Sequence, residues 1–511
     1  MEEFNSKKDC GGILIKKTKK IVFAVPSTGQ FQFIIPILEK MIEKKMEYIY
    51  ILAHQGDESR LAFDTMYPSI KEDVIHTKLE LVKKGDETDI DMYITSEQYT
   101  LGIKNIFSVC IFHGQPSKGL TFTKEIIGSF DAFFLYGPLH LESYMDYVEE
   151  HFETPPEHLQ TFKIGYSKTD VLFSNSELFP EIPKKIGLLK DRKTILYAPA
   201  FNKYASLQEN GLFIINELCK NQKYNVIVKL PIDCFNYKNM PQEFNDVNWL
   251  EELKKLEETY NNLFLYDQLD IYPVMVHADL MLTCVSSVGL EFMVLKKPVM
   301  FIETPNFYRK YLKGRLLHIR EIAAYENKEY VNGGKRLGVI VQNISSLDKE
   351  IEVILENYEE IQEKLRGVED YLLYNPGNAA ETAANKIIEL VEQNSISKRI
   401  YEYNHFTYDF VEILNSKKEV NIGLVGAGKY GEDIYDLIKE NNDKVSISCY
   451  LDNDTKKWRK KINNTIIEPI SSEVIEKLDK IIITSMYWRE ILVQLENLSI
   501  SSNKIVLVTR Y

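Results

Sequence analysis

A chain of 511 residues with 44% hydrophobic content is long enough to bury three cores of ordinary size. Its formal net charge of −13 argues against nucleic acid or anionic lipid bound over the whole surface, leaving local basic patches such as Lys184, Lys185, Lys190, Arg192 and Lys193. Six widely spaced cysteines, with no Cys-x-x-Cys and no Cys/His spacing for zinc, read as reduced thiols of an intracellular protein.

Residues 1–17 read as a polar, lysine-rich tail whose one apolar stretch, Gly11–Ile15, is too short for a signal-peptide core or a membrane span. The expectation is a cytoplasmic protein, able to touch the inner face of a membrane. Lys20–Pro26 is a first buried strand, and Ser27–Gln30 turns it into a helix over Phe31–Lys45. Strand signals follow at Tyr48–Ala53, Asp91–Ile94, Ser108–Phe112 and Ala132–Tyr136. Alternating strands and helices predict one doubly wound α/β domain over 18–185.

At the end of the strand Ser108–Phe112 stands His113, followed by Gly114-Gln115-Pro116-Ser117-Lys118. Ligands of open α/β sheets sit at the carboxyl ends of strands, and a histidine there suits a general base near neutral pH. The bland alternative is a structural histidine. Lys118 is either a charge-neutralising group or a solvated lysine.

A second α/β set starts at Lys193–Ala200 and runs through Tyr224–Leu230, Leu263–Tyr266, Leu280–Thr283 and Val299–Ile302 to helices over Asp348–Gln393, predicting a domain over 186–395. Within it, Ala278–Glu303 reads as strand, Ser286-Ser287 turn, helix Val288–Lys297 and a strand opened by Pro298. Ser286 and Ser287 either hold a phosphate at the helix N-terminus or cap the helix. Two Rossmann-like domains facing a cleft describe the GT-B architecture.

Residues 396–418 read as a linker to a small Rossmann-like domain over 419–511. There the strand Val420–Val425 enters Gly426-Ala427-Gly428-Lys429-Tyr430-Gly431, a helix follows, and the next strand ends at Asp452. The glycines permit a tight turn and close approach of a ligand, and Asp452 could hold a ribose hydroxyl. This is a candidate site for a nucleotide or NAD(P), or else a vestigial domain used for assembly. Asp452-Asn453-Asp454 lies outside the cleft and is not read as a metal site; no metal and no catalytic cofactor are expected.

His113-Gly114-x-Pro116-x-Lys118, the Gly165…Asp170 segment, Tyr197-Ala198-Pro199 and Thr283-x-x-Ser286-Ser287-x-x-x-Glu291-Phe292 resemble the CDP-glycerol glycerophosphotransferase family over about residues 20–390. Those enzymes build teichoic-acid-like polyol phosphate chains. Three departures mark a divergent member: Leu230 stands where the family has a histidine before Pro231, Thr283-Cys284-Val285-Ser286-Ser287 replaces its Thr-Asp-Tyr-Ser-Ser, and Gln115 replaces its threonine. The resemblance implies a CDP-linked donor, a hydroxyl acceptor that is lipid-linked or part of a cell-surface polysaccharide, and no nucleic acid. It implies His113 as general base, Lys118 beside developing charge, Ser286, Ser287 and the helix N-terminus on the diphosphate, and Thr283 among the donor-binding residues. It also implies Glu291 on the ribose, or else paired with the helix dipole, and Lys229 in place of the missing histidine. A GT-B glycosyltransferase using a UDP- or CMP-sugar, and a non-catalytic nucleotide-sensing assembly protein, are the alternatives.

Overall fold

The computed structural model describes residues 18–508 except 85–89, 98–105, 120, 153, 175–176, 233, 236–246, 313–326, 398–409, 411–412, 415 and 486. The expected N-terminal tail and much of the expected linker lie outside the described residues. The first sheet is wholly parallel, from β1 (Lys19–Val25), β2 (Tyr48–His54), β3 (Val74–Lys78), β4 (Met92–Thr95), β5 (Phe107–Cys110), β6 (Ala132–Leu135) and β7 (Gln160–Lys163), in the order β3-β2-β1-β4-β5-β6-β7. Ile21–Val25 is buried without a break, as a strand covered by helices on both faces must be.

The second sheet is also parallel. It joins β8 (Lys193–Tyr197), β9 (Tyr224–Val228), β10 (Leu263–Leu265), β11 (Leu280–Thr283), β12 (Val299–Phe301) and β13 (Val339–Ile340) in the order β10-β9-β8-β11-β12-β13. Both sheets change winding direction beside their first strand, which opens a crevice at the carboxyl ends.

The two domains share one apolar core. Phe33, Phe112 and Tyr166 of the first pack in the same cluster as Tyr272, Leu290 and Phe292 of the second. The last helix of the second domain, Ala379–Glu392, departs from its sequence assignment by packing back onto the first. Tyr48 donates to Glu392 at 2.7 Å, and Lys44 pairs with Glu381. The segment leading into that helix is stitched to the ends of β6 and β7. Asn375 Nδ2 donates to the Ile164 carbonyl at 3.0 Å, and the Tyr374 amide donates to the Tyr136 carbonyl. Asp170 accepts from the amides of Ala379 and Ala380 at 3.0 and 2.7 Å, filling the helix's orphan donors. The Gly165…Asp170 segment therefore serves as a socket for this helix.

The third sheet, β14 (Val420–Val425), β15 (Val445–Leu451), β16 (Lys461–Ile462), β17 (Thr465–Glu468), β18 (Lys480–Ile483) and β19 (Ile505–Leu507), runs β16-β17-β15-β14-β18-β19 and is parallel except at the β16–β17 hairpin. It has its own core on each face. Phe410, Ile413 and Leu414, assigned from sequence to the linker, belong to that core.

Gly165 has φ +106°, and a β-carbon there would lie 2.1 Å from the Tyr374 carbonyl oxygen. Gly187 has φ +83° with only Phe264 nearby, at 3.8 Å. Gly187→Ala is expected to cost about 1–3 kcal/mol from backbone strain alone. Gly165→Ala adds a backbone clash and is expected to cost clearly more, read as the midpoint of urea unfolding. Equal midpoints for the two variants would mean that the 372–380 segment does not seat in this notch.

Candidate active site

His113 stands three residues beyond β5, on a turn that begins at Phe112, whose φ is +56°. Phe112 is buried against Phe122, Phe133 and His140, and this anchors the turn. The imidazole is exposed, and its Nδ1 lies 2.9 Å from the Ser96 carbonyl oxygen. A carbonyl only accepts, so Nδ1 of the neutral ring carries the proton and Nε2 presents its lone pair outward. The carbonyl is itself held in place. Ser96 Oγ donates to Gln30 Oε1, and Gln30 Nε2 donates to Glu97. Gln30 was not among the residues singled out from sequence; a glutamine in a turn carries no signal of its own.

After His113 the chain is fixed by the second domain. Gln115 Nε2 donates to the Leu372 carbonyl at 2.9 Å, and the Gly119 amide donates to the Tyr330 carbonyl at 2.9 Å. Lys118 is half-buried on this same stretch. A β-carbon on Gly114 would lie 3.3 Å from Ser287 Oγ. The His113–Gly114 turn and the Ser286–Ser287 turn, far apart in sequence, thus meet at the carboxyl ends of the two sheets.

Ser286 and Ser287 are half-buried, and Ser287 makes no side-chain capping bond. The helix after them covers Val288–Met293, shorter than the expected Val288–Lys297, because the chain turns at Lys296 with φ +55°. Thr283 is wholly buried and donates to the Ala198 carbonyl at 2.6 Å, so its hydroxyl proton ties the end of β11 to the loop after β8.

Glu291, expected at the ribose or beside the helix dipole, is 2% exposed and faces the other domain. Lys168 of the first domain reaches it at 3.0 Å, and the Tyr272 hydroxyl donates to the same oxygen at 2.8 Å. The Lys168 ammonium also sits 4.4 Å above the Tyr272 ring. Burial, and then the Glu291 charge, push the Tyr272 hydroxyl well above its ordinary range. Lys168 lies in a segment that the resemblance singles out, but its partner could not be read from there.

Lys229, the first residue after β9, is 7% exposed, and its ammonium donates to the Leu230 carbonyl at 2.8 Å. Burial, and next the positive charge of Lys168, lower it to about 8. The Asp270 and Asp267 carboxylates act on Lys229 in the opposite sense, so both lysines stay within reach of buried or nearby negative charge. Leu230, standing where the family has histidine, is fully buried and offers only its carbonyl.

In the third domain the glycines divide the work. Gly426 takes φ +118°; a β-carbon on Gly431 would lie 2.2 Å from the Gly426 carbonyl oxygen; one on Gly428 would meet nothing within 4 Å. Asp452 is turned inward. It accepts from the Ala427 amide and from Lys457, each at 2.9 Å, and from the Asp454 amide at 2.8 Å. The third-domain residues thus form a constellation of their own around the Gly-rich turn.

Residues 144–391 match the family model of CDP-Glycerol:Poly(glycerophosphate) glycerophosphotransferase, and residues 418–506 match a model described as C2185-like, N-terminal. Over 185 residues the chain is 26% identical to the teichoic acid poly(glycerol phosphate) polymerase of Bacillus spizizenii, a match covering 33% of this chain and 42% of that relative. The chain thus matches less than half the length of that polymerase. Two histidine variants of the wall teichoic acid polymerase TagF superpose with TM-scores of 0.51 and 0.50. Their identities are 16% and 17%, covering 74% of this chain and 89% and 90% of those chains. At such identity the likeness speaks for the fold, a GT-B pair of parallel-sheet domains. Residues 144–391 are thus similar to the CDP-glycerol glycerophosphotransferase family, and they lie within a fold shared with the GT-B pair of the TagF variants.

Proposed function

We propose that this chain transfers a polyol phosphate from a CDP-linked donor to a hydroxyl acceptor during cell-surface polymer synthesis. The observation that carries the reading is the meeting of the His113 and Ser287 turns, with a β-carbon on Gly114 only 3.3 Å from Ser287 Oγ. A base from one sheet and hydroxyls from the other then flank one point. The family description of a CDP-glycerol glycerophosphotransferase supports the choice of donor.

In this mechanism the acceptor hydroxyl gives its proton to His113 Nε2 while its oxygen bonds to the distal phosphorus of the donor. The bond from that phosphorus to the bridging oxygen breaks, and CMP leaves with the electron pair. Ser96, held by Gln30, keeps the ring in the tautomer that can accept. Ser286 and Ser287 donate to the diphosphate, and Lys168 and Lys229 supply positive charge where the leaving group gathers negative charge. The direct test is CMP release from CDP-glycerol in the presence of a polyol phosphate acceptor, with UDP- and CMP-sugars as competing donors. Release of UDP or CMP from the sugar nucleotides alone would favour a glycosyltransferase. For the third domain, the open space at Gly428 supports a nucleotide or NAD(P), although Asp452 would have to leave Lys457 to reach a ribose.

His113→Ala is expected to lower turnover by roughly 10²–10⁴-fold. Because the side chain is exposed, the melting temperature and the donor dissociation constant should stay near wild type. Full turnover in the folded variant would remove the general-base role.

Lys229 predicts a pH dependence of donor binding. Its folded value is depressed to about 8, so in the empty site it loses its proton as pH rises through 8. A bound diphosphate favours the charged form. Below pH 8 the proton is present before and after binding, and affinity should be flat. Above it, binding must take up a proton, and affinity should fall by up to about tenfold per pH unit. Lys229→Met should bind more weakly at neutral pH and lose the decline. A flat wild-type profile between pH 7 and 9.5 would rule out contact between Lys229 and the donor phosphates.

A further inference from the structure

From the loop after β15 into the first residue of β16 the sequence reads Lys456-Lys457-Trp458-Arg459-Lys460-Lys461, five cations in six residues of a chain whose net charge is −13. Lys457 is occupied by Asp452. Among the described residues, none of Lys456, Arg459, Lys460 and Lys461 forms an ion pair, and all four are exposed. In a protein rich in carboxylates, four adjacent unpaired cations are a concentrated positive potential.

The segment is held in shape. The Arg459 amide donates to the Ile467 carbonyl at 2.8 Å, and the Ile467 amide returns a bond to the Lys460 carbonyl at 2.9 Å, extending the antiparallel ribbon beyond β16. Asn463 and Asn464, with φ +51° and +62°, close the hairpin with the left-handed pair that a two-residue turn needs. Trp458 Nε1 donates to the Asp452 carbonyl at 2.7 Å, which locks the ring, 38% exposed, beside the cations. The charges therefore sit on a preformed ribbon, and little ordering entropy opposes binding.

We propose that this ribbon holds the growing polyol phosphate chain, a linear polyanion of repeated phosphodiesters. The choice of partner rests on the transferase reading above, whose product has that chemistry. A lipid surface fits less well. Membrane-surface segments bury an apolar face, and on this ribbon the sole exposed large hydrophobic residue is Trp458, whose indole N–H is already engaged. Single-stranded nucleic acid also fits less well, because such sites interleave several stacking rings with cations. The ribbon would retain the product between transfers while His113 acts elsewhere.

The test uses the full chain and a defined-length poly(glycerol phosphate), with phosphatidylglycerol/phosphatidylcholine vesicles and single-stranded DNA as competitors. The variant Lys456→Gln, Arg459→Gln, Lys460→Gln, Lys461→Gln changes only exposed side chains. It is expected to bind the polymer at least about tenfold more weakly at low salt, with the slope of log affinity against log salt reduced by about 3. Turnover on a short acceptor should be unchanged, and products should be shorter. The pair Lys460→Glu, Lys461→Glu should weaken binding further and guards against a fold effect of the quadruple change. Unchanged polymer affinity in both variants overturns the proposal, as does wild-type preference for vesicles or DNA over the polymer. Polymer binding is read without turnover, so the two readings can fail separately. If CDP-glycerol yields no CMP while the variants still lose polymer affinity, the ribbon stands and the transferase reading falls. Transfer with equal polymer affinity in all three proteins does the reverse.

Discussion

The arrangement of the cleft rests on one short piece of backbone. The 372–380 segment crosses from the second domain and lies in two notches of the first, at Gly137 and Gly165. A β-carbon on Gly137 would fall 2.2 Å from the Leu372 carbonyl oxygen, and one on Gly165 would fall 2.1 Å from that of Tyr374. Contacts between backbones cannot be relieved by rotating a side chain, so this segment has little room to shift against the first domain. With the segment so held, the turns after β5 and β11 meet.

That closeness has an electrostatic cost, which the Lys168–Glu291–Tyr272 group partly offsets. Taking both charges out of water is expensive, and the pair's own attraction need not exceed that cost. Removing either partner is a different matter, because it strands the other charge and typically costs about 3–5 kcal/mol. The pair is therefore better understood as setting which residues face each other across the domains than as a source of stability. Lys229 joins the group on the positive side and Asp270 and Asp267 on the negative side, so these charges are coupled to one another across the cleft.

Much of the architecture was legible because parallel strands buried on both faces appear as unbroken apolar runs, as in Ile21–Val25 and Leu280–Thr283. His113 and Ser286-Ser287 were legible as strand-end residues. The partners were not. Thr283 is bonded across 85 residues, Glu291 across 123 and Asp170 across 209. A residue's type advertises that it can donate or accept, whereas the choice of partner belongs to the tertiary fold. The short helix after Ser287 escaped for a local reason. Met293-Val294-Leu295-Lys296-Lys297 has nothing in its side chains that announces the left-handed turn at Lys296.

The first two sheets share a core, and Ser397 ties the chain back to it by donating to Asp131 at 3.0 Å. By Phe410 the chain is already inside a different core. Among the described residues, the cores of the first two domains draw on nothing after Val391 and those of the third on nothing before Phe410, so the two interiors share no side chain. A cut inside 372–392 would uncover the floor of the cleft, whereas parting the residues up to Val391 from those from Phe410 on would take no member from either set of cores. The third domain could thus be exchanged for another without retuning a single distance between His113 and Ser287.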